Sequence, residues 1–197
     1  MSMACSSAPK VLIEDAKETK AVDLGSCLLQ QRKVYLGEEV DSDSSNAVVQ
    51  QLLYLEHQDA KAPITLYLNT PGGSIVDGMA VYDLMQQVSC PVHVVVVGMA
   101  ASMGSVLLSG GEKGHRYILP HGEVLLHQPL GGARGPATDI KISAQRIIKT
   151  KEMLLRLLAD NCGQTYERLV EDCDRDYWLD ADAAVEYGIC DQVLNPS

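Results

Sequence analysis

The chain has 197 residues, 46% of them apolar and 21% charged, enough to bury the core of one domain. A net charge of −10 with no cluster of Lys and Arg argues against nucleic acid as a partner, because phosphate binding needs concentrated positive charge. The opening MSMACSSAPK has neither a basic n-region nor an apolar h-region, and the six cysteines are scattered without a C-x-x-C pair. These features argue against a secretory signal, a disulfide framework or a zinc site, and favour a reducing compartment.

Residues 1 to about 27 carry little periodic pattern and read as an N-terminal tail. Val34-Tyr35-Leu36 suits a short strand ended by Gly37. Between Asn46 and Gln58 the apolar residues Val48, Val49, Leu52, Leu53 and Leu55 recur at helical spacing. Pro63 closes that segment, and Ile64 to Leu68 reads as the next strand. It runs into Asn69-Thr70-Pro71-Gly72-Gly73-Ser74, a turn that is either a plain connection or a place where another backbone comes close. A second amphipathic helix is expected from Gly78 to Val88.

Val94 to Gly111, VVVVGMAASMGSVLLSGG, organises the chain. Four valines suit a strand buried on both faces, Gly98 breaks it, and a helix begins near Val106. His93 and the many Gly and Ser residues, with no flanking basic cluster, make it a strand–turn–helix and not a membrane span. Ser102 at such a turn is either a nucleophile beside converging helix N–H groups or a packing residue. Two short strands, Tyr117 to Leu119 and Glu123 to Leu126, follow. The second leads into His127-Gln128-Pro129-Leu130-Gly131-Gly132, where His127 is a candidate base or a structural histidine. Thr138 to Asn161 is the longest helical signal, with Thr138 able to cap its start and Gly163 its end. The tail from Tyr166 holds Asp172, Asp174, Asp176, Asp180 and Asp182, with no histidine among them for a metal site. Alternating strands and helices predict α/β architecture with parallel strands, and ligands beyond the strands' carboxyl ends.

Taken together, PGG, GMAASMG, LLHQPLGGARGPATDI and DRDYWLDADAAVEYGICD resemble the proteolytic subunit of the Clp protease (ClpP) from about Val34 to Leu194. The resemblance implies a ClpP/crotonase-type α/β fold of repeated β-α units. A protruding strand-plus-helix handle at about 131–163 interrupts a peptidase domain spanning 28–197, with 1–27 as an axial segment. It implies a serine endopeptidase in which Ser102 is the nucleophile, His127 the general base and Asp176 the orienting carboxylate. The oxyanion hole maps to the backbone N–H groups of Gly73 and Met103. An unfolded peptide would lie between Gly73-Ser74-Ile75 and Pro129-Leu130-Gly131 as an added strand. No cofactor and no metal are implied.

The implied partners are unfolded polypeptides and an AAA+ ATPase unfoldase, with neither nucleic acid nor membrane. The implied assembly is either a homo-oligomer of two stacked heptameric rings or a mixed ring with a second ClpP-type subunit. The unfoldase-docking surface maps to Tyr67, Val95, Val97, Leu119 and Leu194, while Thr65 and Gln87 replace residues often aromatic in the family. The implied location is a bacterial-type cytoplasm, or an organellar stroma or matrix. Two other readings are a catalytically silent or regulatory ring subunit, and a crotonase-like acyl-CoA enzyme. Retention of Ser102, His127 and Asp176 speaks against the first; the second needs no Ser–His pair and usually a carboxylate base, and would leave Ser102 and His127 incidental.

Overall fold

The computed structural model describes residues 9–15, 18–130, 132 and 134–195. Its main sheet forms because short β-rich segments alternate with helices whose apolar stripes cover one face. The described elements are β1 (Lys10–Asp15), β2 (Glu18–Asp23), α1 (Leu24–Gln30), β3 (Lys33–Leu36), α2 (Ser42–Gln58), β4 (Ile64–Thr70), α3 (Ile75–Gln87) and β5 (Val92–Ala101). There follow α4 (Met103–Ser109), β6 (Arg116–Ile118), β7 (Glu123–Leu126), α5 (Ala137–Cys162), α6 (Tyr166–Asp172), β8 (Tyr177–Leu179), α7 (Ala181–Tyr187) and β9 (Gln192–Val193). Strands run in the order β3-β4-β5-β6-β9, all parallel, and β7 branches from β5 to pair with β8. The α/β reading with parallel strands therefore holds.

Parallel register aligns the side chains in rows across the sheet. Leu36, Leu68, Val96, Ile118 and Val193 form one row, and all but the half-buried Val193 sit in the core. One residue earlier, Tyr35, Tyr67, Val95, Tyr117 and Gln192 form the row on the opposite face.

At the N-terminal end, where no periodic pattern was visible, β1 and β2 pair as an antiparallel hairpin. Asp23 caps α1 through its carboxylate, and α1 runs from 24 to 30 across the expected boundary at 27. Helix starts also differ from expectation: α2 begins at Ser42, four residues before Asn46, and α4 at Met103, three before Val106. α3 begins at Ile75 because Ser74 is its N-cap, three residues before Gly78. α5 begins at Ala137 because Pro136 occupies the cap and its carbonyl accepts the Ile140 N–H at 3.1 Å, so Thr138 lies inside the helix. Gly163 does end it, in the left-handed region at φ 69°.

The two ends of α5 are differently placed. Leu154, Leu155, Leu158, Ala159 and Cys162 are buried, whereas no residue from 137 to 153 is, and Ile142 and Ile148 are exposed. The buried end is fastened by Arg116, which stands on the core face at 4% exposure. Its guanidinium donates to both Asp191 carboxylate oxygens at 2.6 and 3.0 Å and to the Asn161 carbonyl at 3.1 Å. Asp191 Oδ2 also accepts the backbone N–H groups of Gly114 and Arg116. One ion pair thus ties β6, β9 and the last turn of α5.

Burial alone would raise the Asp191 carboxyl pKa. The hydrogen bonds and charge of Arg116 outweigh burial and hold it below the usual carboxylate range. A depressed folded pKa stabilises the protein above the unfolded value, near 4, and the contribution is lost as pH falls through the lower folded value. Arg116→Ala should cost about 3–5 kcal/mol in urea unfolding by stranding the carboxylate. Unfolding repeated at stepped pH should show that the acid-dependent part of the loss is weaker in this variant than in the parent.

Candidate active site

The position of Ser102 follows from a bend in β5. Val94–Val96 pairs with β6, but Met99–Ala101 pairs with β7. Gly98 lies between the two halves at φ 103°, and a Cβ there would come within 2.6 Å of Asn69 Oδ1. That oxygen accepts the Met99 N–H at 3.3 Å, and the β4–β5 register slips between Leu68 and Thr70 at the same level. The strand changes partners and carries its end to β7, where Ser102 N–H donates to the Leu125 carbonyl at 2.9 Å.

Ser102 adopts φ 54° and ψ −117°, and only Arg32 among the other described non-glycine residues has a positive φ. Such a conformation costs on the order of 1–3 kcal/mol and needs surrounding structure to hold it. Ser102 precedes α4 yet makes no side-chain cap. The cap is made from the other direction, since Ser105 Oγ donates to the Ser102 carbonyl at 2.6 Å. The Ser102 hydroxyl is therefore uncommitted among the described residues, half-buried at a strand-to-helix corner.

The Pro71-Gly72-Gly73 turn lies directly against this corner. Gly72, at φ 89°, is buried, and a Cβ on it would meet Ala101 O at 2.5 Å and Ser102 Cβ at 2.6 Å. Gly73 forms a parallel bridge with Val40: Val40 N–H donates to Gly72 O at 2.8 Å, and Ser74 N–H donates to Val40 O at 2.7 Å. In such a bridge the intervening residue turns its own N–H away, so the Gly73 amide faces the open side and has no acceptor among the described residues. The Met103 amide, first in α4, is likewise without one. Two free amides thus lie on segments in contact with the Ser102 corner. Sequence reasoning missed Gly72 as a site residue; the adjacent glycines were the only signal for it.

Strand register brings the other two candidates close. β7 is parallel to β5, with Ala101 opposite Leu125, so the chain just past β7 reaches the level of Ser102. β8 is antiparallel to β7, with Leu126 opposite Tyr177, and the next position outward sets His127 opposite Asp176. The corner is fastened by Gln128: its N–H donates to Cys173 O at 2.8 Å, and its Nε2 to Asp174 O at 3.0 Å. Lys151 Nζ on α5 donates to Gln128 Oε1 at 2.7 Å.

His127 lines two adjoining cavities. One holds Ser102, Met103, Ile75 and Pro129, and the other Leu130, Asp174, Arg175 and Asp176. His127 is thus common to the cavity that Ser102 lines and the one that Asp174 and Asp176 line, although no hydrogen bond joins it to Ser102 or Asp176 among the described residues. Three of the other tail carboxylates have different occupations, and Asp182 stands in the first turn of α7. Asp172 accepts from Tyr187 Oη at 2.8 Å and Arg168 Nε at 3.3 Å, Asp180 caps α7, and Asp174 faces Arg175 at 3.7 Å.

Of the expected peptide-binding residues, Ser74 is a helix cap, while Ile75 and Pro129 line the Ser102 cavity, of about 30 Å³. Leu130 is 83% exposed, and Gly131 lies outside the described residues. The expected docking residues share the sheet face opposite the core. Tyr67 and Val95 are neighbours in one row, with Val97, Leu119 and Leu194 beyond them. Sequence reasoning missed Tyr117 in the same row, between Val95 and Gln192. The buried thiols are unsuited to nucleophilic work: burial pushes Cys162 and Cys190 up to about 12 and Cys173 to about 11.

The sequence matches the Clp protease family over residues 16–197. It is 49% identical over 187 residues to the ATP-dependent Clp protease proteolytic subunit 1 of Prochlorococcus marinus (strain NATL2A), covering 95% of each chain.

Gly72→Ala should displace the Ser102 corner while leaving the sheet assembled. Turnover of a small peptide substrate should fall about 10- to 100-fold with far-ultraviolet circular dichroism unchanged.

Proposed function

The chain belongs to the Clp protease family, is a peptide hydrolase with the ClpP/crotonase-type fold, and we propose that it cuts unfolded polypeptides through Ser102, His127 and Asp176. What supports this reading is strand register: Ala101 stands opposite Leu125 and Leu126 opposite Tyr177, so the segment bearing the strained, uncommitted Ser102 adjoins those bearing His127 and Asp176.

In this mechanism His127 removes the Ser102 proton as Oγ attacks the peptide carbonyl. Negative charge develops on the carbonyl oxygen, and the Gly73 and Met103 amides donate to it; loss of one such donor typically costs about 100- to 1,000-fold. The C–N bond then breaks, and His127 gives its proton to the departing amine. Water, deprotonated by the same imidazole, releases the acyl group and regenerates Ser102. Asp176 orients the ring and stabilises the imidazolium. Catalytic hydrogen bonds are often long without substrate and tighten in the bound complex, which accommodates the open His127.

A peptide strand between Gly73-Ser74-Ile75 and Pro129-Leu130-Gly131 would be read mainly through its backbone, with Ile75 and Pro129 flanking the side chain next to the scissile bond. Family members work as oligomeric rings with Clp ATPases. For this chain we propose stacked seven-membered rings, homomeric or shared with a second subunit of the same type. The uncovered half of α5 is the handle between rings, 28–197 the peptidase domain and 1–27 an axial segment. The row of Tyr67, Val95 and Tyr117, with Val97, Leu119 and Leu194, is the docking face for the ATPase. No helix among the described residues is long and apolar enough to cross a membrane. For the location we propose a bacterial-type cytoplasm, or an organellar stroma or matrix.

A fluorophosphonate probe should label the assembled protein on Ser102, and Ser102→Ala should abolish both labelling and peptide cleavage. An assembled wild-type ring that resists the probe under conditions labelling another active Clp ring would remove the peptidase reading. Mass measurement of the purified chain should give fourteen subunits if it assembles alone.

A further inference from the structure

Thr70 ends β4 between the two segments that carry the free amides. Its side chain is fully buried, in register with Ala100 of β5. Its Oγ1 accepts the Gly72 N–H at 3.1 Å, closing a turn over Pro71, which has no N–H of its own. A residue before proline is held to extended backbone, so the strand end and the turn after it are set together. With the Gly72 amide occupied in this way, the Gly73 amide is the one left facing the open side.

The methyl group of the same side chain lies against the first turn of α4. A Cβ on Gly104 would come within 2.7 Å of Thr70 Cγ2 and 3.4 Å of Thr70 O. Gly104 follows Met103, whose side chain occupies the space that a Cβ on Gly78 of α3 would need. One side chain thus touches both halves of the proposed oxyanion hole. Its oxygen holds the Gly72-Gly73 turn, and its methyl sets how closely α4 approaches β4. Both contacts are enclosed within one subunit.

We propose that Thr70 is a positioning residue that fixes the spacing of the Gly73 and Met103 amides and so sets how well they stabilise the oxyanion. This rests on the peptidase reading, and Thr70 itself touches no reacting atom. Two backbone donors must aim at one oxygen, and a misplacement of about 1 Å costs up to about 100-fold in rate. Loss of the hydroxyl strands a buried N–H, which the turn relieves by shifting, while both donors remain present. The peptide then binds its ground state as before, and only the transition state is held less well.

The test compares Thr70→Val, which keeps the shape and removes the oxygen, with Thr70→Ser, which keeps the oxygen and removes the methyl. Each full-length protein is sized by mass measurement, and the assembled species is taken. On a short fluorogenic peptide, Thr70→Val should lower kcat about 10- to 100-fold, with KM within about twofold of the wild type. A peptide aldehyde of the same sequence should lose affinity by a similar factor. Addition of the Ser102 hydroxyl across its C=O bond gives a tetrahedral adduct whose oxygen meets the same amides. Thr70→Ser should stay within about threefold of the wild type in both measurements. Where Thr70→Val does not assemble, Thr70→Ala carries the same expectations. An assembled Val or Ala variant with unchanged kcat and aldehyde affinity overturns the proposal, and so does a Ser variant that loses as much as Val. A wild type that neither cleaves the peptide nor binds the aldehyde removes the peptidase reading and this proposal with it, whereas an active wild type with an equally active Val variant removes only the role of Thr70.

Discussion

The bend of β5 at Gly98 is the constraint on which the site depends. A straight strand would continue alongside β6, and its end would emerge at the far edge of that short strand with nothing beyond to receive it. Because Asn69 Oδ1 occupies the space a side chain at position 98 would need, and accepts the following N–H, the strand turns and meets β7 instead. That exchange of partners brings the end of β5 level with the end of β7, and β8 in antiparallel register adds the third segment. Three positions distant in sequence are then neighbours through backbone pairing alone. The unusual backbone angles at Ser102 are held between the Leu125 carbonyl before it and the closed first turn of α4 after it.

Much of this was legible from the residues because it rests on local chemistry. The valine run announced a buried strand, Gly98 its interruption, and alternating segments the parallel sheet. What escaped was non-local. Tyr177-Trp178-Leu179 is too short to carry a period, and it becomes a strand only because β7 offers an edge. The cap of α5 was misplaced because Thr138 is a better capping residue than Pro136 in isolation, whereas the glycine-rich approach turns into the helix one residue after the proline. Tyr117 was overlooked as a surface residue because its row is defined by register with Tyr67 and Val95, which sequence spacing does not reveal. Gly72 and Gly73 looked alike in the sequence, yet one is pressed against Ser102 and the other against Val40.

The Arg116–Asp191 pair, with its guanidinium buried and its carboxylate half-buried, shows how the same chain supports a helix only at one end. Desolvating two charges is expensive, and the arrangement is tolerated because nearly every donor and acceptor is matched, including the Asn161 carbonyl at the last turn of α5. A well-packed apolar pair could give similar stability but could not also accept from Gly114 and donate to Asn161. The pair therefore sets where the helix is rooted, and the uncovered half extends as a lever about 25 Å long from that root. Apolar residues along it, such as Ile142 and Ile148, gain nothing within this subunit. Their burial requires another surface, which is what a subunit handle would provide.

The site divides into a part made of backbone and a part made of side chains. The Gly73 and Met103 amides are held by a bridge to Val40 and by the first turn of a buried helix, so they cannot reorient without breaking the sheet or α4. His127 and Asp176 lie on segments just past strand ends, and Asp176 is exposed. Electrostatic stabilisation gains most from rigidity, since dipoles already aimed at the developing charge need no reorganisation at the moment of reaction. Proton transfer tolerates a ring that closes on substrate, because its geometry matters only once Oγ begins to attack. A peptidase arranged this way keeps its oxyanion donors permanently in place and leaves the nucleophile unactivated until a strand occupies the cleft. Under the proposed mechanism, that separation confines reactivity to the moment when a peptide strand fills the cleft.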